Sequence, residues 1–274
     1  MRLFSHDFFN TPASRGPLRT GALSDGAACG VYWLRPEDAA DSYALHAQVA
    51  DAYAKKMYVS KRSPERIAQL ISGCGRGLAV RELAAGKLVA QRFFNSRPGK
   101  SDAPFLDLDS LDRPVAVGGS TTALERHGCG AIKMITLTMR DELPKYSDVG
   151  DLVTVTTFGN ASSLTNALRP YLHGRVYAMG TLDGVRVVTS VANLKAPDEL
   201  GTSDVRCVQN AMARPARVAY LLRKGFAGYG MTPSGALHFA PIARPGRGHH
   251  VRVLGQHERG ASWPLCTAAD RPAA

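Results

Sequence analysis

The sequence predicts a mixed α/β fold in which a central, mostly antiparallel sheet is flanked by helices. Three observations carry this expectation. Runs rich in β-branched residues pair across short turns, as in "GLAVREL" with "KLVAQRFF" and "RVYAMG" with "VRVVTSVANL". Apolar residues at helical spacing lie between such runs, in "ERIAQLI", "SSLTNAL" and "ARVAYLLRKG". The chain has 274 residues, 45% of them apolar, which is enough to bury a core without disulfide staples.

Each element has a local reason. Val31 to Leu34 form a short apolar strand that Arg35-Pro36 ends, and Glu37-Asp38 supply the acidic first turn of a helix running to Tyr53. Its apolar face is expected at Ala40, Tyr43, Ala44, His46, Ala47 and Ala50. Ser63 caps a second helix with Pro64 in its first turn. Residues 77–83 and 87–94 form a hairpin. A stretch rich in Pro, Gly, Ser and Asp then runs from Asn95 to about Gly130 and reads as an insertion, with "PVAVGG" as a strand inside it. "AIKMITLTM" and "DLVTVTTF" are expected as strands because of their β-branched content.

A helix follows with Ser162 and Ser163 as caps and Leu164, Ala167 and Leu168 as its stripe, then a hairpin turning at Thr181-Leu182-Asp183-Gly184. In the last helix Val218, Leu221 and Leu222 form the apolar stripe. Arg223 and Lys224 suit the negative end of its dipole, and Gly225 closes it. Two strands around Thr232-Pro233-Ser234-Gly235 complete the chain's regular structure. The expected organisation is an extension over 1–28, one domain over 29–243 with an insertion near 95–130, and a mostly irregular tail over 244–274.

Composition narrows the function classes. Cys29, Cys74, Cys129, Cys207 and Cys266 are scattered singly, which predicts a reduced, cytoplasmic setting and no zinc site. No apolar run approaches the roughly 18 to 20 residues of a membrane span. The net charge of +11 is spread along the chain, which is weak evidence for nucleic acid and does not favour it as the partner, and would suit a small polyanionic ligand. "FNSRPGKS" lacks the first glycine of a P-loop, and Asp107, Asp109 and Asp112 lack the glycine and distal Glu of a calcium loop. His249-His250 has no partners at metal-ligand spacing. No metal is expected.

The order of elements, with "VYWLRPEDAADSYALH", "VTTFGNASSLTNAL" and "ARVAYLLRKGFAGYG", resembles the GNAT superfamily of acyl-CoA-dependent N-acyltransferases over about residues 30 to 242. That family runs strand, two helices, hairpin, strand, glycine-containing turn, helix, strand, helix and two strands. The resemblance implies transfer of an acyl group, most simply acetyl, from acetyl-CoA or another acyl-CoA to an amine on a small molecule or a protein.

It further implies that strand 151–158, through Val155 and Thr157, meets the thioester, and that Gly159, Asn160, Ala161, Ser162 and Ser163 cradle the diphosphate. A helix N-terminus entered through small residues offers the necessary amides. The family's Gln or Arg ahead of the glycine pair is Thr156 here. Glu142 is the expected base, with Asp151, Glu125 and His127 also in reach, and Tyr220 the expected acid for the departing thiolate. Tyr220 falls one residue before the family's position, Leu221. Two alternatives stay open: a GNAT-shaped binding module without catalysis, and a basic nucleic-acid-binding or secreted interaction protein.

Overall fold

The structure is a computed structural model and describes residues 16–53, 62–72, 75–182, 184–246 and 250–254. Cys74, Asp183, His249 and Cys266 lie outside the described residues, as do the ends of the expected extension and tail. The chain divides into two compact units, the first containing residues up to 97 with 115–148, the second 98–114 with the chain from 149 onward.

The first unit contains β1 (Arg19–Ala22), β2 (Ala28–Trp33), α1 (Ala39–Tyr53), α2 (Pro64–Ser72), β3 (Gly75–Glu82), β4 (Leu88–Asn95), β5 (Val115–Thr122) and α3 (Ala131–Tyr146). Its strands pair antiparallel in chain order. β1 falls inside the expected 1–28 extension and pairs with β2 from Arg19 opposite Val31 to Ala22 opposite Ala28. Neighbouring residues of a strand face opposite sides. Phe93 joins Leu45, Val49, Ile67 and Ile71 in the core beneath α1 and α2, whereas Arg92 reaches Thr136 and Met139 of α3. α3 therefore covers the face opposite α1 and α2. On α1 the buried residues are Ser42, Leu45, His46, Val49 and Ala50, a face rotated from the expected alanine-rich one because the larger side chains decide which side is buried.

One expected strand is a helix. "AIKMITLTM" opens α3, whose buried residues Ala131, Ile135, Met139 and Leu143 recur every fourth position. The threonines that suggested a strand are accommodated by bonding backward: Thr136 Oγ1 donates to the Ile132 carbonyl at 2.7 Å and Thr138 Oγ1 to that of Met134 at 2.9 Å. Those bonds satisfy both hydroxyls inside the helix.

The second unit contains β6 (Asp151–Thr157), α4 (Ala161–Ala167), β7 (Arg175–Leu182), β8 (Val185–Asn193), β9 (Glu199–Leu200), β10 (Arg206–Val208), α5 (Pro215–Arg223), β11 (Phe226–Met231) and β12 (Leu237–Arg244). Antiparallel pairing joins β6 to β8, β8 to β7, β7 to β11 and β11 to β12, and β12 also carries β9 and β10. α4 and α5 pack on this sheet over a core that includes Leu164, Val176, Val218, Leu222, Leu237 and Phe239. The expected irregular tail is anchored in part, since Val251 is fully buried and Val253 bridges to Leu106. Asp198, buried, accepts from the Tyr177 hydroxyl and from the Gly246 amide. No helix among the described residues is long and apolar enough to cross a membrane.

In a strand Lys133 and Ile135 would share a face, and in α3 they do not. Ile135→Ala should lower the free energy of unfolding by roughly 2–4 kcal/mol, and Lys133→Ala by less than about 0.5 kcal/mol, in urea melts. Equal effects would contradict the helical register.

Candidate functional site

Among the described residues two strand-to-helix turns contain glycine, and they differ in how their amide donors are used. After β6, Asn160 is the N-cap of α4, and its Oδ1 accepts the amide of Ser163 at 3.0 Å. One donor of the expected cradle is thus already taken by the chain itself. Gly159 has an ordinary backbone conformation with open space where a Cβ would stand, so the turn does not require glycine there. Val155 and Thr157 on β6 are paired with Thr189 and Val187 of β8.

The turn after β5 is built otherwise. A 3₁₀ turn at Leu124–Arg126 leads to Gly128 and Gly130, both left-handed with φ of 80° and 92° and both with open space beside the α-carbon. Only glycine adopts this conformation at no steric cost. Gly130 is the N-cap of α3 and supplies no side chain, and the first turn holds no acidic residue. The first intrahelical bond runs from the Met134 amide to the Gly130 carbonyl at 3.1 Å, so the amides of Ala131, Ile132 and Lys133 lie ahead of it. Donors at the positive end of a sixteen-residue helix, entered without side chains in the way, form a cradle that suits an anion.

The surroundings hold this turn rigidly. Arg126 bonds Glu82 Oε1 and, at 2.5 Å, Asp25 Oδ2. The Cys129 carbonyl accepts the Ser24 amide at 3.0 Å. His127 stacks on Tyr53 with ring centroids 5.6 Å apart, and its two nitrogens lie 2.9 Å from the Tyr53 hydroxyl and the Thr122 carbonyl. A carbonyl only accepts, so Nε2 carries the proton and, in the neutral ring, Nδ1 accepts from Tyr53. The Ala27 amide, then the Cys129 thiol and Arg126, hold the Asp25 carboxyl below the usual aspartate range, and the bond to Asp25 pushes the Cys129 thiol up. The Lys87 ammonium, 2.7 Å away, holds Glu125 below the usual glutamate range.

Upstream, β5 is bulged. Gln91 faces Thr121 and Phe93 faces Gly118, so Gly119 and Ser120 together oppose the single residue Arg92. A bulge leaves its extra residue outside the ladder of hydrogen bonds. Arg92, 4% exposed, donates from Nε to Ser120 Oγ at 2.5 Å and from NH1 to Thr136 Oγ1 of α3 at 3.2 Å. The bulge, the turn and the helix are thereby tied together.

The remaining expected site residues are dispersed. Glu142 lies eleven residues along α3, about 16 Å from the turn, and accepts from Lys145 at 2.9 Å. Asp151 is fully buried and accepts from the Asp112 amide at 2.8 Å and from Asn193 Nδ2 at 2.9 Å, which gives it a structural task. Tyr220 lies in the second unit on an exposed face of α5, 42% exposed. Among the described residues no three His, Cys, Asp or Glu side chains group to hold a metal. The turn at Gly128-Cys129-Gly130 was signalled in the sequence by the four-residue apolar spacing that follows it, a signal hidden when that segment is read as a strand.

No protein-family profile matches the chain, and no curated protein matches it. Solved structures do match, among them three at low identity. The GNAT domain of S. lividans PAT is 15% identical, with 64% of this chain and 96% of that one covered and a TM-score of 0.47. The structure of yncA from Salmonella typhimurium with its cofactor acetyl-CoA is 16% identical, covering 62% and 98% at a TM-score of 0.46. The ribosomal-protein-S18-alanine N-acetyltransferase from Escherichia coli is 13% identical, covering 64% and 98% at 0.43. These acetyltransferases are what the chain is similar to.

Asp25 should titrate below the ordinary aspartate range, as read from its carboxyl carbon shift by NMR. A depressed native value means stabilisation that is present above the unfolded pKa and is lost as the pH falls through the native one. Arg126→Gln should raise the Asp25 value only part of the way, because the Ala27 amide and the Cys129 thiol contribute more. Full restoration would assign the shift to the guanidinium alone.

Proposed function

We propose that this chain is an N-acyltransferase that moves an acyl group, most simply acetyl, from its CoA thioester to an amine. The observation that supports this most directly is the bulged strand β5 entering α3 through two left-handed glycines. It occupies the place that the GNAT order reserves for its strand, glycine turn and helix. That order, strand, two helices, hairpin, strand, turn, helix, strand, helix and two strands, runs from β2 to β8 and closes ahead of α5.

On this reading the diphosphate of the co-substrate belongs to the amides of Gly128 and of Gly130 to Lys133, the Cys129 amide being held by the Arg126 carbonyl at 3.3 Å, and the turn at 159–163 is the entry to a later helix. The residues fit such a group: the glycines leave the approach open, and α3 has no side-chain cap to compete for its donors. Lys133 is exposed in the first turn and adds positive charge there. The position three residues before Gly128-Cys129-Gly130, filled by Gln or Arg in the family, is Glu125, whose charge Lys87 offsets.

The chemistry follows from the bulge. The amide left out of the ladder at Gly119 or Ser120 polarises the thioester carbonyl, where negative charge develops as the amine attacks. The new C–N bond forms as the C–S bond breaks; the amine's proton leaves to solvent or a base, and the thiolate takes one up. Arg92 acts as a positioning residue by holding Ser120. The pairings of Glu125, Glu142 and Asp151 weigh against each as the base.

The reading is tested by thermal shift and calorimetric titration with acetyl-CoA, CoA and ATP. Both CoA species should stabilise the chain and ATP should not, by about 2.7 kcal/mol at a hundred times the dissociation constant. Lys133→Glu, at an exposed position, should weaken CoA binding on the order of tenfold, about 1.4 kcal/mol. Gly159→Asp should leave it unchanged. The reverse pattern would return the cofactor turn to 159–163, and CoA binding without turnover on any amine would favour a non-catalytic module.

A further inference from the structure

Residues 205–254 contain eight Lys and Arg and no Asp or Glu, within a chain whose net charge is +11. Most of the chain's excess positive charge is therefore concentrated in the segment that carries α5. This distribution is not visible as a dense run, because the cations are spaced along helix, strands and turns.

α5 sorts these residues by side. Val218, Ala219, Leu221 and Leu222 are buried, while Arg217, Tyr220 and Lys224 are exposed. Spacings of three and four place the three exposed residues in one stripe. The Arg217 guanidinium carbon lies over the Tyr220 ring, 5.4 Å from its centroid, and Lys224 Nζ over it at 5.9 Å, so one exposed aromatic ring and two cations form a single cluster in which the cations are held by the ring and, among the described residues, by no carboxylate. At the start of the helix a cavity of about 760 Å³ is lined by Cys207, Val208, Arg214, Pro215 and Arg217. Among the described residues Arg214, Arg217 and Lys224 form no ion pair with a carboxylate. Arg206, by contrast, is paired with Asp204, and Arg252 with Asp107.

We infer that this face of α5 binds single-stranded nucleic acid, independently of the acyl-transfer site. The cations would take up backbone phosphates, with Arg214 and Arg217 at the cavity and Lys224 about 15 Å further along the helix. A base would stack on Tyr220. An acidic peptide would use the cations and leave the ring without a task, whereas a duplex keeps its bases stacked on each other and offers the ring nothing. An unpaired strand uses both kinds of group. The role also accounts for Tyr220 without assigning it to the departing thiolate.

Fluorescence anisotropy on the full chain tests this, with a labelled single-stranded oligonucleotide of mixed sequence, the same sequence as a duplex, and heparin as a polyanion without bases. The single strand should bind most tightly, and its affinity should fall with salt. The triple variant Arg214→Ala, Arg217→Ala, Lys224→Ala should reduce the slope of log affinity against log salt by about 2. Tyr220→Ala should weaken single-strand binding about tenfold and leave heparin binding unchanged, and Tyr220→Phe should bind as the unaltered chain does. All four positions are exposed, and acetyl-CoA binding should be the same in every variant. Absence of salt-dependent binding would overturn the inference, as would a triple variant that binds normally. So would a Tyr220→Ala variant that affects oligonucleotide and heparin alike, or neither.

Discussion

Arg92 stands in the middle of β4 with only 4% of its surface exposed, and a guanidinium placed there must be served by partners, since an uncompensated buried charge is destabilising by several kcal/mol. The partners are what organise the first unit. Ser120 belongs to the bulge of β5 and Thr136 to α3, so satisfying one cation fixes a strand irregularity and a helix in relation to each other. Thr136 in turn donates its own proton to the Ile132 carbonyl, which leaves its oxygen oriented to accept from Arg92. The turn between β5 and α3 is then held from both ends.

That constraint makes the glycine turn useful. The backbone donors of Ala131, Ile132 and Lys133 would scatter if the helix could shift relative to the strand, and donors that are already aimed suit an anion. The ion pairs of Arg126 with Asp25 and Glu82 add a second brace, on the side of β1 and β3. Rigidity here is achieved with partnered charged groups, Arg126 with Asp25 and Glu82, while Gly128 and Gly130 place no side chain at the entry to the helix. The other glycine turn, at 159–161, is stabilised by the local Asn160 cap. A self-capped helix end is stable by itself and correspondingly less available to a ligand.

The second unit uses its charges differently. Its buried carboxylates Asp151 and Asp198 are hydrogen-bonded, while Arg217 and Lys224 of the last helix and its cap are exposed without carboxylate partners among the described residues. Retaining like charges close together on a surface has an electrostatic cost in the absence of an anion. A helix face that combines them with an exposed tyrosine is therefore better understood through what it meets than through what it stabilises.

Much of the fold could be read from local chemistry. Ser63 and Pro64 start α2 as expected, with the Arg66 amide bonding Ser63 Oγ at 3.2 Å. Gly184 and Gly235, both left-handed, mark the two later hairpins, and Gly225 closes α5. These are properties of a few adjacent residues, and the sequence by itself determined them, along with the fold class. The register of α3 was not settled that way, because threonine favours strands until a helix carbonyl is there to receive its hydroxyl. Neither was the bulge at Gly119 and Ser120, nor the choice between two glycine turns. Those depended on Arg92 and Asp25 finding their partners, Arg126 lying 101 residues from Asp25, and only the tertiary structure brings such groups within hydrogen-bonding distance.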